Sequence, residues 1–170
     1  MFKLIKSRRE DVQRISELAF AEMDEILRKA WNTTKYDWEG WKKDLEIAIT
    51  GKSDRVFNIM VPAEQAKETI AGLIWYSFAE ENSIWLTALV VISKLQGRGI
   101  GSRVISMLED EGLKRGIDQI ELGVQRSNLR AVEFYKNRNF QELEDIEFAG
   151  TVIMRKRIKY GKSVDKRLYS

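Results

Sequence analysis

The sequence predicts a mixed α/β (α+β) fold, in which four helices pack on a central mixed sheet of about seven strands. Seven strand-like runs and four helix-like patterns follow one another in the order β-α-α-β-β-β-α-β-α-β-β. A strand at 83–92, a helix at 99–115 and a strand at 118–124 form a βαβ unit, which requires parallel strands. A hairpin-like turn joins the runs at 69–79 and 83–92, so the sheet also contains antiparallel pairs.

The N-terminal half of the chain begins with a predicted strand and two predicted helices. "MFKLIK" forms the strand, and Ser7 and Glu10 then have capping-box spacing at the start of a helix that runs to about Trp31. "WKKDLEIAI" predicts a second, shorter helix that ends at Gly51, a residue type typical of helix C-caps. Three strands follow, at 55–61, 69–79 and 83–92.

The chain after the βαβ helix predicts three more strands and one more helix. Apolar residues alternate with polar or small ones at Ile120, Leu122 and Val124, which predicts a strand with one buried face. "SNLRAVEFYKNRN" predicts a helix with Ser127 or Asn128 as its N-cap. "FQELEDI" and "AGTVIMRKRI" predict the last two strands.

The composition fits one globular domain over residues 1–170, with 44% hydrophobic and 32% charged residues. The chain has no Cys and no His, which excludes a Cys nucleophile, a Ser-His-Asp triad, a disulfide framework and the usual structural zinc sites. Acid–base chemistry therefore falls to Asp, Glu, Tyr, Lys or water, and we expect no metal. No apolar run approaches the ~20 residues of a membrane span. The N-terminus turns charged too early for a secretory signal, so we expect a cytoplasmic protein.

The net charge of +3 is concentrated at the C-terminus. Residues 155–170 carry seven Lys or Arg and one Asp, whereas the rest of the chain carries 22 basic and 25 acidic side chains. A basic tail at about 158–170 can attract nucleic acid or an acidic partner, or it can be a solvated terminus. The net negative charge of the remaining chain argues against nucleic acid as the partner.

Three of the 11 glycines lie within "LQGRGIGSR" (95–103), between a predicted strand and a predicted helix. At such a junction the free N–H groups of the first helical turn and the helix dipole favour an anion, and glycine lets phosphate oxygens approach the backbone. Two nucleotide-binding motifs fit poorly. A Walker A loop requires a glycine where the chain has Glu46 or Lys156, and the dinucleotide fingerprint requires one where it has Ser102.

Two motifs lie on these elements. "QGRGIG" (96–101) follows a predicted strand, and "NLRAVEFYKNRNFQE" (128–142) forms a later helix and the start of a strand. At this spacing they resemble the pyrophosphate loop, Q/R-x-x-G-x-G/A, and the second motif of the GNAT superfamily of acetyl-CoA-dependent acetyltransferases. The element order resembles that family over nearly the whole chain. The resemblance implies a GNAT-like fold, with a mostly antiparallel sheet that contains one splayed parallel pair.

The resemblance also implies roles for individual residues. The pantetheine arm and thioester of acetyl-CoA would pair with the backbone of Leu89, Val90 and Val91, with an oxyanion donor near Val90. Asn128 would bond the arm from the other side, and Tyr135 would be the general acid for the leaving thiolate. Two alternatives stay open, since Tyr135 could be a core aromatic and Asn128 a plain N-cap. The residues that would wrap the pyrophosphate are Gln96, Gly97, Arg98, Gly99, Ile100, Gly101 and Ser102.

Two positions depart from the family pattern. Asn139 stands where the family usually has Gly after the helix, and Asn is the best other choice for a left-handed residue. Thr87 stands where some members, including polyamine acetyltransferases, have a Glu base, and Thr cannot act as a base at neutral pH. The base would then be Glu80, Glu81 or a water chain that ends at backbone carbonyls.

The acceptor site would be built by the first two helices, their loop and the later strands. Aromatic side chains with an acid in this region could receive a cationic amine by cation–π contact, or could belong to the core. The candidates are Trp31, Tyr36, Asp37, Trp38, Trp41, Trp75 and Trp85. A peptide N-terminus, a lysine, an aminoglycoside-like compound and a small amine all remain open as acceptors.

We therefore predict an N-acetyltransferase that transfers the acetyl group of acetyl-CoA to a primary amine by direct attack in a ternary complex. The alternatives are a non-catalytic CoA-binding module and a nucleic-acid-binding protein that uses its basic tail. The expected partner is an amine acceptor substrate, with no membrane and no nucleic acid. A homodimer remains open, as does the role of the tail.

Overall fold

The computed structural model describes residues 2–63, 68–79, 82–148 and 150–158, with the backbone alone described over 144–148. Glu80, Glu81 and the basic tail beyond Ile158 lie outside these residues. The strands are β1 (Lys3–Lys6), β2 (Asp54–Pro62), β3 (Glu68–Ala79), β4 (Ser83–Val91), β5 (Gln119–Gln125), β6 (Gln141–Phe148) and β7 (Thr151–Arg157). The helices are α1 (Val12–Ala30), α2 (Trp38–Thr50), α3 (Ile100–Lys114) and α4 (Leu129–Lys136), and short 3₁₀ turns lie at Arg9–Asp11 and Ser93–Leu95.

The strands of the described residues form one seven-stranded sheet in the order β1-β2-β3-β4-β5-β7-β6. Neighbouring strands are antiparallel except β4 and β5, which are parallel. The parallel pair follows from α3, which carries the chain from the end of β4 back to the start of β5. The predicted order of elements and the mixed, mostly antiparallel sheet with four helices are confirmed.

Helices cover both faces of the sheet. α1 and α2 pack on one face, where Ile15 and Leu45 contribute fully buried side chains. α3 and α4 pack on the other, where Ile105 of α3 and Leu122 of β5 belong to the same buried cluster. No helix within the described ranges has the length and apolarity needed to cross a bilayer.

The start of the first helix differs from the prediction. Ser7 does not cap it, because its buried side chain donates its hydroxyl to Asn58 Oδ1 on β2 at 2.8 Å. The capping contact lies one residue later, where the Arg8 N–H donates to Asp11 Oδ2 at 2.8 Å. The sequence spacing could not reveal this shift, since it depends on a partner from a distant strand.

Two other local predictions are confirmed, and a third holds for the position of the residue but not for its conformation. β5 buries Ile120, Leu122 and Val124 on one face, as its alternation predicts. Asn139 has a left-handed backbone with a φ of 63°. Gly51 follows the last residue of α2, but in an extended conformation with a φ of −77° and a ψ of −177°, rather than as a left-handed cap.

Candidate active site

β4 and β5 separate partway along their length. They pair from Ser83 with Gln119 to Leu86 with Leu122, although β4 continues to Val91. A gap therefore opens between the two strands beyond Leu86. This confirms the splayed parallel pair that the family resemblance implied.

A β-bulge at Thr87 marks the start of the gap. Trp75 of β3 pairs with Ala88, and the next residue, Tyr76, pairs with Leu86, so Thr87 is skipped in the register. A bulge disrupts regular pairing and bends the strand that contains it. The bulge therefore accounts for the departure of β4 from β5 at this point.

The bulge also reverses which residues of β4 face which helices. Ile84 and Leu86 lie in the cluster beneath α3 and α4 before the bulge, whereas Leu89 and Val91 lie in that cluster after it. A regular strand would keep alternate residues on one face throughout. In the sequence the only sign of this change is the polar Thr87 within an apolar run.

The open edge of β4 consists of the Leu89 N–H and C=O and the Val91 N–H, since the Val91 carbonyl accepts the Gln96 side chain. The Ile92 N–H donates to the Ala71 carbonyl on β3 at 2.9 Å. Because the direction of backbone groups alternates along an antiparallel strand, Val90 also turns its N–H and C=O towards β3. Leu89 and Val91 therefore turn their N–H groups towards the gap, and an oxyanion donor near Val90 stays a prediction for which these two N–H groups are the candidates.

The glycine loop joins this open edge to α3. Gly97 and Gly99 have left-handed φ values of 76° and 78°, a conformation that glycine adopts without steric cost. An added Cβ at Gly101 would lie 3.2 Å from the Phe134 ring of α4, so the third glycine allows the two helices to pack closely. α3 begins at Ile100, and its first N–H groups have no carbonyl within the helix to bind. The loop and helix start together have the geometry of an anion site.

Gln96 connects the two ends of this loop region. Its side-chain Nε2 donates to the Val91 carbonyl at 2.7 Å, so the side chain supports the end of β4. Its predicted companion Arg98 is exposed, and Ser102 lies in the first turn of α3. The structure thus brings together the residues of the predicted pyrophosphate loop, with Gln96 facing the strand.

Arg138 is a basic residue of this region that sequence reasoning missed. Its guanidinium carbon lies 3.9 Å from the centroid of the Phe134 ring, and the guanidinium donates to the Ser102 hydroxyl. It also donates to the Phe134 carbonyl at 3.0 Å. These contacts hold a positive charge beside the first turn of α3. In the sequence Arg138 is one of two basic residues in "YKNRN", and only the packing of α4 on α3 distinguishes it.

Asn128 is the N-cap of α4. Its side-chain oxygen accepts a hydrogen bond from the Ala131 N–H at 3.2 Å. The plain capping role is therefore present. A hydrogen bond to a pantetheine arm would have to use the side-chain NH₂ group instead.

Tyr135 is buried on the α3–α4 side of the sheet. Its ring lies between those of Phe134 and Phe140, with centroid distances of 5.1 and 5.3 Å. Burial raises the pKa of Tyr135 far above the usual tyrosine value, against a smaller opposing effect of the Arg138 charge. The hydroxyl therefore keeps its proton at neutral pH. Tyr135 is a core aromatic, and it belongs to the same apolar cluster as Val91 at the gap.

Five aromatic rings form a continuous series on the opposite face of the sheet. Edge-to-face contacts with centroid distances of 5.0 to 6.0 Å connect them: Phe20, Tyr36 and Trp41 each contact Trp38, and Trp41 contacts Trp75. The members of this aromatic series are Phe20, Tyr36, Trp38, Trp41 and Trp75. Its three tryptophans share an apolar cluster with Ala88 and Val90. The aromatic series therefore packs against the segment of β4 that borders the gap.

The remaining predicted acceptor-site residues are distributed differently. Trp31 is 46% exposed at the end of α1. Trp85 lies on β4 before the bulge and is not a member of the aromatic series. Asp37 is the N-cap of α2, where its carboxylate accepts the Gly40 N–H at 2.9 Å.

Asp24 of α1 is the acid that the structure brings to the aromatic series. It accepts the Trp38 indole N–H at 2.8 Å and the Arg28 Nε–H at 2.7 Å. These hydrogen bonds, that of Trp38 first, lower the pKa of Asp24 below its usual value. The sequence shows the spacing of Asp24 and Arg28 on one helix, but it does not show the contact with Trp38.

The profile of the acetyltransferase (GNAT) family matches residues 18–140. This range contains most of the first helix, the bulged β4, the glycine loop and α4. The chain belongs to this family. The resemblance of its two motifs to the GNAT superfamily is thereby confirmed.

Curated GNAT relatives match this chain over part of its length. The thialysine N-ε-acetyltransferase of Bos taurus is 32% identical over 78 residues, which cover 45% of this chain and 46% of the relative. The protein of the same name from Mus musculus is 28% identical over 93 residues, which cover 52% of this chain and 55% of the relative. The chain thus spans about half the length of the curated relatives it matches.

Solved GNAT structures share the fold over nearly the whole chain. A GNAT-family acetyltransferase from Staphylococcus aureus Mu50 gives a TM-score of 0.72 at 17% identity, covering 94% of this chain and 100% of that one. The PaiA N-acetyltransferase from Thermoplasma acidophilum, crystallised in complex with coenzyme A, gives 0.72 at 20% identity, covering 92% and 99%. At these identities the likeness concerns the fold.

Proposed function

We propose that this GNAT-family protein is an N-acetyltransferase that transfers the acetyl group of acetyl-CoA to a primary amine. One observation carries the proposal. The open edge of β4 beside the gap leads into a helix start with free N–H groups, and the buried Tyr135 belongs to the same apolar cluster as Val91 of that strand. Membership of the family supports the same assignment.

The donor would bind along β4 and the glycine loop. Its pyrophosphate is an anion, which the first N–H groups and the dipole of α3 favour. Arg98 and Arg138 would add charge-assisted hydrogen bonds. The pantetheine amides would pair with the open edge at Leu89 and Val91 as an added strand.

Residues of this chain could stabilise the oxyanion that forms during the transfer and protonate the thiolate that leaves. As the amine nitrogen attacks the thioester carbonyl carbon, a backbone N–H of Leu89 or Val91 would stabilise the charge that develops on the carbonyl oxygen. The C–S bond then breaks, and Tyr135 would donate its proton to the sulfur of the leaving CoA. Its raised pKa keeps the hydroxyl in the acid form at neutral pH, and it also makes Tyr135 a weaker acid towards the thiolate. Tyr135 regains a proton from solvent.

The acceptor would approach from the α1–α2 face, where the aromatic series stands on β4. A cationic amine is attracted to aromatic faces. The Asp24 carboxylate is paired with Arg28 at 2.7 Å, and its other oxygen holds the Trp38 indole N–H. An alkylamine, with a pKa near ~10.4, must lose a proton before it attacks. Thr87 at the bulge cannot take that proton, so a water chain or a base outside the described residues would take it. The name of the relatives makes thialysine the first acceptor to test. Lysine, which the sequence analysis leaves open, is the second.

Calorimetric titration with acetyl-CoA tests the donor site, with ATP and NAD as controls. Gly99→Glu would place a carboxylate where the pyrophosphate should lie, and it should abolish binding. Gly116→Glu is the matched control, because Gly116 has a φ of 72° and open space around it, at the far end of α3. Unchanged acetyl-CoA affinity in the Gly99 variant would contradict the assignment of the loop.

A panel of amines with detection of released CoA thiol tests the transfer itself. Thiol release with thialysine, lysine, a polyamine or a peptide N-terminus would support the proposed reaction and identify the acceptor class. Tight binding of acetyl-CoA without thiol release for any amine would favour the alternative, a non-catalytic CoA-binding module.

A further inference from the structure

The turn between β4 and the glycine loop is bound to α1 by one carboxylate. Glu22 Oε1 accepts the Ser93 N–H at 3.0 Å, and Glu22 Oε2 accepts the Ser93 hydroxyl at 2.5 Å. Both carboxylate oxygens thus hold the first residue of the 3₁₀ turn Ser93–Leu95. Within the described ranges, Glu22 is the one α1 side chain with a hydrogen bond to the connection from β4 to α3.

Two other contacts fix the ends of the same turn. The Ile92 N–H donates to the Ala71 carbonyl of β3, and the Gln96 side chain donates to the Val91 carbonyl. The 3₁₀ turn itself contributes only the bonds from Leu95 to Ile92 and from Gln96 to Ser93. Leu95, the last residue of the turn, packs on the cluster beneath α3 and α4. Glu22 attaches the first residue of the turn to α1, on the opposite face of the sheet.

The position of this contact gives it a consequence for the donor site. The turn follows Val91, whose N–H forms part of the open strand edge, and it precedes Gly97 and Gly99. A shift at Ser93 would move both the strand edge and the helix start, which must bind two parts of one ligand. Hydrogen bonds to a charged acceptor are among the stronger ones in proteins, so their loss should be measurable.

We propose that Glu22 is a positioning residue for acetyl-CoA, which acts through Ser93 to order the turn ahead of the glycine loop. This proposal rests on the proposed function where it is tested by enzyme activity. Glu22 lies on the helix that also carries Phe20 and Asp24 of the acceptor side. The contact therefore ties the helix of the acceptor face to the loop of the donor site.

The test compares Glu22→Ala, Glu22→Gln and Ser93→Ala with Glu25→Ala. Glu25 is the matched control, because it lies on the same helix and pairs with the exposed Lys29 at 2.6 Å, away from the turn at Ser93. We expect Glu22→Ala to raise the acetyl-CoA Kd and KM about tenfold. The KM of the amine and the Tm should stay near their wild-type values. Glu22→Gln keeps one acceptor oxygen and should restore part of the affinity, and the control should bind as wild type does.

A double variant of Glu22 and Ser93 shows whether their effects on acetyl-CoA binding come from the contact between them. Ser93→Ala leaves α1 unchanged, so it tests the contact even where Glu22→Ala lowers the yield of folded protein. Ser93→Ala removes only the hydroxyl bond and keeps the bond from the Ser93 N–H, so its loss of affinity should be smaller than that of Glu22→Ala. The double variant should bind acetyl-CoA no worse than Glu22→Ala alone, because Glu22→Ala already removes both bonds. Additive losses, or equal affinities in Glu22→Ala and Glu25→Ala, would overturn the proposal.

Hydrogen exchange separates this proposal from the proposed function. In Glu22→Ala without ligand, amides from Ser93 to Gly101 should exchange faster than in wild type, while those of β2 should not change. Unchanged exchange in the turn would overturn the positioning role. Failure of the wild type to bind acetyl-CoA would instead contradict the proposed function, and the exchange result would still decide whether Glu22 orders the turn.

Discussion

Tyr135 combines a core position with a group that can transfer a proton. Its ring is enclosed by Phe134 and Phe140, and burial keeps its hydroxyl protonated. A neutral hydroxyl can donate a proton to a thiolate, but it cannot serve as a base for the amine. In the proposed reaction, Tyr135 would therefore account for one of the two proton transfers.

Removal of the Tyr135 hydroxyl should lower kcat and leave binding intact. We expect Tyr135→Phe to reduce kcat about 10²-fold or more, the usual loss for a general acid, with little change in the acetyl-CoA Kd. Tyr76→Phe is the matched control, because Tyr76 is also buried in the same cluster, where it stacks on Phe57 at 6.3 Å. Steady-state kinetics with thiol detection measures both. Equal kcat values in the two variants would assign Tyr135 to the core alone.

The pH dependence of the acetyl-transfer rate should also reflect the raised pKa of Tyr135. Because the pKa of Tyr135 is raised, its acid form persists as pH rises, and the rate should not fall through its ionisation below about pH 10. The value of kcat/KM should instead rise with pH as the acceptor amine loses its proton. A descending limb between about pH 8 and 10 that disappears in Tyr135→Phe would contradict the raised pKa.

At the scale of the elements, the geometry of β4 decides the site. The bulge at Thr87 ends pairing with β5, and the alternation beyond it turns the backbone of Leu89 and Val91 towards the gap. On the opposite edge β3 passes very close to β4, since an added Cβ at Gly72 would lie 2.0 Å from the Val90 carbonyl oxygen. One edge of β4 is thus packed against a glycine, and the other is open.

Gly72→Ala should therefore damage both stability and donor binding. The added methyl must push β3 away from the Val90 carbonyl, and overpacking of this kind costs about 1–3 kcal/mol of unfolding free energy. Gly123→Ala on β5 is the control, because its Cβ would meet the Thr151 Cγ2 at 3.0 Å, a side chain that can rotate. Urea unfolding and acetyl-CoA titration measure the two effects. Equal unfolding free energies for the two variants would show that β3 can yield at Gly72 without cost.

At the scale of the whole molecule, the gap connects two faces with different properties. The glycine loop, Arg138 and Tyr135 lie on the side of α3 and α4, and they suit an anionic, extended donor. The aromatic series lies on the side of α1 and α2, and its ring faces suit a cationic acceptor. Such a division fits direct transfer through the sheet in a ternary complex.

Donor binding should stabilise the whole domain. A ligand at about 100 times its Kd adds about 2.7 kcal/mol to the unfolding free energy, which corresponds to a rise in Tm of about 5–10 °C for a chain of this size. Acetyl-CoA and CoA should both produce this shift in a thermal melt. ATP and NAD at the same concentration should not. A larger rise in Tm with ATP than with CoA would indicate a nucleotide site, against the poor fit of both nucleotide-binding motifs in the sequence.

The sequence by itself determined the order of the elements, the parallel pair and the glycine loop. These features depend on residues close together in the chain, such as the alternation in β5, the N-cap at Asn128 and the left-handed preference at Asn139. Local periodicity and backbone sterics act over a few residues, so they can be recognised without the fold. The family motifs had the same local character.

Only the tertiary structure decided how the site is assembled. Its main features depend on residues from different elements. They are the bulge at Thr87, the backbone direction at Val90, the Arg138 contact with Ser102 and the hydrogen bonds from Ser93 to Glu22. The same reason explains the error at Ser7, whose partner is Asn58 on another strand. Partners of this kind are brought together by packing of elements distant in the chain, and no spacing within the sequence encodes them directly.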